Sequence, residues 1–312
     1  MIEKSVLLAD DIANTSEEGR SRSHILRAIA AEISQRLKLP LRVIFVENLE
    51  GRLFRRPVVE EVKAKDKESM GLLEVDMAHY PVKSKIFLKE GDPVTHILSE
   101  EKIDDLLEMI VMGSQGKHGI AKALLGSTSE EVLRRAATPI LIVGPEAQRL
   151  HFEFPEEGVL RILLLTDLSS ASVRAEDYAA SLARKLNARL TICNSPGHEI
   201  YHLKQMLYSR NVVPTSVDSM FEEIGKDAEK LLSDKVEEYK KINADVEALF
   251  LKEEANLEDV LAKKAEGAYD LIVMGTHSRN RFLTTFLGST ARNVILKSPI
   301  PVIICRSVIR GL

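Results

Sequence analysis

The chain has 312 residues, 45% of them apolar and 29% charged, and a formal net charge of −4. That length suits two domains of roughly 150 residues, and the balance excludes a disordered chain. A slight acidic excess, no Trp and 5% aromatic residues leave neither a basic field nor many stacking platforms for nucleic acid. From the N-terminus, Met1-Ile2-Glu3-Lys4 turns acidic too soon for a signal peptide. No apolar run approaches the ~18 residues of a membrane span, so no membrane association and a cytoplasmic location are expected. Apolar runs at 5–9, 42–46, 84–88, 108–112 and 139–143 predict buried parallel strands. Counterparts lie at 160–165, 189–193, 246–251, 270–274 and 301–305. Helical periods fall between them: Ile25, Ile29, Ile33 and Leu37 in one half, Tyr178, Leu182 and Leu186 in the other. Cys193 and Cys305 both sit in apolar runs, which suits a reducing compartment better than a disulfide framework.

The chain repeats itself. Residues 110–143 align without a gap to 272–305, with 11 of 34 positions identical. The identities cluster in Ile-Val-Met-Gly, in Leu-Gly-Ser-Thr and at a Pro before the last apolar run. Val6 to Asp11 likewise matches Ile162 to Asp167. The expected architecture is therefore α/β: two tandem, doubly wound, parallel five-stranded sheets with helices on both faces. The expected domains are 1–148 and 157–312, joined by a polar stretch. The connection from Gly144 to Val159 would span roughly 50 Å if extended.

The strongest local signal follows the fourth predicted strand: Gly113-x2-Gly116-x9-Gly126-Ser127. Glycine at a strand end lets a ligand approach the backbone. Gly126-Ser127 opens a helix whose first amides lack partners, a ready seat for anions such as phosphates. Asp11, at the end of the first strand, offers a carboxylate to ribose hydroxyls. A structural reading stands beside this one, because Ser127-Thr128-Ser129-Glu130 is also a capping box.

These features together resemble the universal stress protein family. Strand-plus-Asp at 6–11, the Gly91-x-Pro93 turn and the run Pro139 to Val143 match its layout, and the resemblance covers both halves. It implies a Rossmann-like fold of the universal-stress and adenine-nucleotide-hydrolase type. The resemblance also implies ATP, carried with magnesium, in the first domain. Adenine would lie near the backbone of Val46 and ribose near Asp11 and Gly113. Phosphates would rest on Gly116, Gly126, Ser127, Thr128 and Ser129. The halves are expected to pair through their last strands as an intramolecular pseudo-dimer, with a homodimer of whole chains as a further association.

The second half departs from the pattern. Ser278 replaces the second glycine, Arg279-Asn280-Arg281 follows, and Glu254-Ala255-Asn256 replaces Gly91-Asp92-Pro93. Asp167, Gly275, Gly288 and Ser289 remain. Weaker or absent ATP binding is expected there.

His198-Glu199-Ile200-Tyr201-His202 matches the zinc-protease pattern, and Glu222 lies at a plausible distance for a third ligand. Pro196-Gly197 precedes it, however, and the segment falls in a connection after a strand, whereas that chemistry needs a long buried helix. No metal site is expected. The chain has no Gly-x-Gly-x-x-Gly after its first strand, no P-loop and no Gly-x-Ser-x-Gly elbow. With no acid–base pair placed for catalysis, the leading expectation is a nucleotide-binding regulatory protein of the stress response acting as a switch, with no catalytic residues. Two alternatives stay open. One is slow ATP hydrolysis or phosphoryl transfer assisted by Lys117 or His118; the other is a dimerisation module that binds no nucleotide.

Overall fold

The computed structural model describes residues 4–11, 16–47, 56–103, 107–114, 125–197, 200, 203, 206–207, 209–210, 217–243, 245–252, 257–276 and 287–306. The chain divides into two compact units, Met1–Phe154 and Pro155–Leu312. In the first unit the elements are β1 (Ser5–Ala9), α1 (Glu17–Leu37), β2 (Leu41–Glu47), α2 (Arg56–Met77), β3 (Ser84–Glu90), α3 (Pro93–Ile103), β4 (Leu107–Gly113), α4 (Ser127–Arg135), β5 (Ile140–Val143) and α5 (Pro145–Arg149). The second unit contains β6 (Arg161–Leu165), α6 (Val173–Leu186), β7 (Arg189–Asn194), α7 (Val217–Lys240), β8 (Val246–Phe250), α8 (Leu257–Lys264), β9 (Leu271–Gly275), α9 (Ser289–Lys297) and β10 (Val302–Cys305).

Within the first unit the strands lie in the order β3-β2-β1-β4-β5, all parallel. In the second the order is β8-β7-β6-β9-β10, again parallel. The central strands are apolar throughout because both sheet faces are covered by helices. Val6, Leu7, Leu8, Ile110 and Val111 are fully buried, as are Ile162, Leu163 and Leu164.

Helix boundaries follow local chemistry. Ser16 caps α1, its hydroxyl accepting from the Gly19 amide at 3.0 Å. Lys38 ends that helix in the left-handed region at φ 57°, as Asn187 ends α6 at φ 50°. The predicted stripe on α1 holds, with Ile25, Ile29 and Ile33 buried. On α6 the deepest positions include small residues: Ala175, Ala179 and Ala183 reach 0–1% exposure beside Leu182. Between β3 and α3 the chain turns on Gly91 at φ 127°, where an added Cβ would sit 3.1 Å from His96 Nε2. Asp92 then caps α3, its Oδ2 accepting from the Thr95 amide at 2.8 Å and the Thr95 hydroxyl at 2.6 Å.

The connection after β5 is not extended along its length. Residues Pro145–Arg149 form a helix started by proline at its first turn. Gln148 Nε2 donates to the Val143 carbonyl at 3.0 Å. Ala147 and Phe154 are buried, and Phe152 meets Phe154 edge-on at 5.2 Å between ring centres. Alternating apolar side chains within this mostly polar stretch draw it onto the first unit. Among the described residues no helix is long and apolar enough to cross a membrane.

Candidate functional site

In the first unit the chain order reverses between β1 and β4, the kind of switch point beyond whose strand ends open α/β sheets place their ligand crevice. Asp11 follows β1, Val46 lies one residue before the end of β2, Gly113 ends β4, and Gly126 caps α4, which Ser127 to Ser129 start. Asp11, two residues past β1, is half-buried on the wall of a cleft of about 390 Å³ shared with Arg20, Ser23, His24, Arg27 and Asp76.

Val46 approaches from β2 through its backbone. The Ile44 carbonyl accepts from the Asp10 amide at 3.0 Å, so Ile44 faces β1, while the Glu47 carbonyl accepts from Gly91 on the other side. Val46 shares the parity of Ile44. Its N–H and C=O therefore point to the β1 side of the strand, beyond the last β1 residue. A donor and an acceptor side by side at that edge suit a planar heteroaromatic ring.

Gly113 closes β4, and α4 begins across from it. The Gly126 amide donates to the Ser114 carbonyl at 2.7 Å, which pins the two ends of the intervening loop together. Gly126 is the cap residue of α4, at φ −65° and ψ 147°, and makes no side-chain cap bond. The first intrahelical bond runs from the Glu130 amide to the Gly126 carbonyl at 2.9 Å. The amides of Ser127, Thr128 and Ser129 thus have no acceptor within the helix. Arg134 and Arg135 occupy the last turn, complementing the dipole at its other end.

Gly126, not Ser127, is the cap residue of α4, so the capping-box alternative for Ser127 to Glu130 does not describe how the helix starts. Ser127 is already helical and is exposed, so its hydroxyl cannot cap its own helix. Ser129 is buried, and its hydroxyl donates to the Gly113 carbonyl at 2.8 Å. With its one proton committed there, Ser129 offers the crevice its backbone amide rather than its side chain. Ser114 is buried next to this bond, and its Oγ has no hydrogen-bond partner among the described residues. Gly116, Lys117 and His118 lie outside the described residues.

Reading the sequence for nucleotide features missed the ionic cluster behind Asp11. Asp10 is fully enclosed: Arg27 Nε donates to its Oδ2 at 2.6 Å, and the Asp11 amide donates to its Oδ1 at 2.8 Å. Arg27 Nη1 reaches on to Asp76 Oδ2 of α2 at 3.0 Å. Burial pushes the Asp10 carboxyl up from its usual range, against the downward pull of Arg27 and the Asp11 amide. Burial and the Asp76 charge together push Tyr80 up to about 12. A signal existed in the chain: of two consecutive aspartates at a strand end, alternation sends one inward, where it requires a cation.

The second unit repeats the frame. The Gly288 amide donates to the Thr276 carbonyl at 3.0 Å, and Gly288 caps α9 at φ −60° and ψ 149°. Asp167 is held through its own carboxylate, Oδ1 accepting from the Ser169 amide at 3.0 Å and the Ser172 hydroxyl at 2.7 Å. Its buried Oδ2 has no hydrogen-bond partner among the described residues. Ser278 to Arg281, Glu254 to Asn256, and His198, Glu199, Tyr201 and His202 lie outside the described residues. Glu222 is exposed on α7. Among the described residues no group of three His, Cys, Asp or Glu is placed to hold a metal.

Comparison with known proteins agrees with this frame. The family model described as the universal stress protein family matches residues 6–144 and again 159–306. A universal stress protein of Mycolicibacterium smegmatis is 27% identical over 199 residues, 64% of this chain and 62% of the relative, so the match spans less than two thirds of that protein. One from Mycobacterium tuberculosis strain H37Rv is 24% identical over 226 residues, 72% of this chain and 69% of the relative. A solved universal stress protein from Archaeoglobus fulgidus DSM 4304 shares the fold, with a TM-score of 0.62 at 22% identity, covering 99% of this chain and all of the other. Two consecutive matches that together take in most of the sequence, each on a five-stranded parallel unit, mean that the chain belongs to the universal stress protein family.

Proposed function

We propose that the first unit binds ATP, or a closely similar adenine nucleotide, and that the chain works as a nucleotide-dependent regulatory switch in the stress response. One observation carries the reading. The amides that open α4 have no acceptor within the helix, and that helix follows β4, the strand at which the order reverses beside β1 and its Asp11. Phosphates would rest on the amides of Ser127, Thr128 and Ser129 beside Gly126, and adenine would take the Val46 edge. Ribose would lie over Gly113 towards Asp11, and Gly116 belongs to the same proposal. Magnesium would arrive with the phosphates, because this ion keeps most of its water and needs few protein ligands.

Mass spectrometry of gently denatured protein tests the reading through a co-purifying adenine nucleotide, and calorimetry through saturable uptake of ATP. No uptake at millimolar ATP would reject it. Single-turnover assays with labelled ATP separate a switch from a slow hydrolase. Pairing of the halves through their last strands is proposed on the sequence alone. Each half ends in a short apolar strand segment whose edge must be paired or covered. Crosslinking between those segments at high dilution checks it.

A further inference from the structure

The ionic cluster behind Asp11 has a counterpart in the second unit, with a threonine in place of Asp10 and the charges of the two helix residues reversed. Asp10 immediately follows β1, and Thr166 immediately follows β6. Arg27 stands eleven residues before the left-handed residue that ends α1, Lys38, and Glu176 stands eleven before Asn187, which ends α6. Asp76 precedes Tyr80 by four residues, and Lys235 precedes Tyr239 by four.

In the first unit the chain of contacts is Asp10, Arg27, Asp76. In the second the Thr166 hydroxyl donates to Glu176 Oε1 at 2.6 Å, and Lys235 Nζ lies 3.0 Å from Glu176 Oε2. Strand end, first helix and second helix are tied at equivalent places, with the middle residue cationic in one unit and anionic in the other.

Thr166 Oγ1 accepts from the amide of Leu168 at 2.9 Å, and Asp167 is bound through its own carboxylate. In the first unit the backbone of Asp11 is clamped. Its amide donates to Asp10 Oδ1 at 2.8 Å, and its carbonyl accepts from the Ser23 hydroxyl at 3.2 Å. Arg27 is what keeps Asp10 in that pose, because a carboxylate with an unexposed side chain and no cation would have to rotate, rehydrate or take up a proton.

We propose that Arg27 is a positioning residue for nucleotide binding: by holding Asp10 on the Asp11 amide it presents the Asp11 side chain to the crevice, and Asp76 anchors the assembly to α2. This rests on the proposed nucleotide site in the first unit.

Calorimetric titration of the full chain with ATP, well below the unfolding temperature of each variant, tests it. Arg27→Met alone strands a buried carboxylate and risks misfolding. The decisive variant is therefore Asp10→Val with Arg27→Met, which removes both charges together. Folding is checked by circular dichroism. The expected result is a folded protein whose ATP affinity falls tenfold or more. Arg27→Lys, which keeps the charge but not the fork that spans two carboxylates, recovers part of the loss. A folded double variant that binds ATP within twofold of the unsubstituted chain overturns the role of Arg27 and leaves the nucleotide site standing. An unsubstituted chain that takes up no adenine nucleotide overturns both.

Discussion

At the start of α4, Gly126 holds φ −65° and ψ 147°, a conformation open to any residue. Glycine is not needed there for the turn, so substituting it tests the seat rather than the backbone. Gly126→Val is expected to leave the circular dichroism spectrum unchanged and to abolish ATP uptake in calorimetry, because the isopropyl group fills the approach to the amides of Ser127 to Ser129. Unchanged affinity would remove that helix end from the site. Ser129 has a different task. Its hydroxyl ties α4 to the last residue of β4, so Ser129→Ala should cost about 1 kcal/mol in denaturant unfolding, the net value of a buried hydrogen bond. Asp10 and Asp11 are neighbours with opposite fates. The first is buried against a guanidinium, and the second lies at the cleft wall.

Helix ends and helix pairs show the same local rules at work between elements. Asp92 caps α3, and its two hydrogen bonds from Thr95 hold its carboxyl below the ordinary value of 3.8. A depressed folded value means stabilisation that is complete above the unfolded value and is lost as pH falls through the folded one. Asp92→Ala should therefore cost about 1 kcal/mol at neutral pH, with the difference shrinking once the pH drops below 3.8. Urea titrations at both ends of that range check it. In the second unit, α7 is joined to α6 through Lys235 and Glu176, and Glu176 is 1% exposed. Lys235→Met leaves that carboxylate without its cation and should destabilise the unit by about 3 kcal/mol. Replacing both residues with leucine should recover most of the loss, since no buried charge then stands alone. A double variant as unstable as the single one would show that the pair does more than neutralise itself.

For the whole molecule, the described frame of the two crevices is shared: each has the loop neck closed by a glycine amide and a helix capped by glycine in the extended region. The proposed asymmetry therefore resides in the sequence differences at Ser278 to Arg281 and Glu254 to Asn256. Titration of the full chain should show about one tight nucleotide site, and two equivalent sites would contradict the proposal. Grafting Ser278→Gly alone should not restore a second site, because Arg279 to Arg281 and Glu254 to Asn256 still depart from the first unit's sequence. Equilibrium dialysis of that variant measures it.

By itself the sequence determined the two α/β units and their ten strands to within two residues at each end. Strands buried on both faces leave unbroken apolar runs such as Ile110 to Met112 and Ile272 to Met274, and duplication writes the same pattern twice. It also determined the glycine spacing and the strand-end aspartates, since both are local features. Only the tertiary structure decided what those residues hold. Arg27 meets Asp10 across 17 positions and Asp76 across 49, and Ser129 reaches Gly113 across 16. It put the cap of α4 at Gly126 rather than Ser127, made Ser129 a buried tie, and gave the connection after β5 a short helix. Hydroxyls and ion pairs carry no period along the chain, so the partner each one finds is set by which elements the sheet brings side by side.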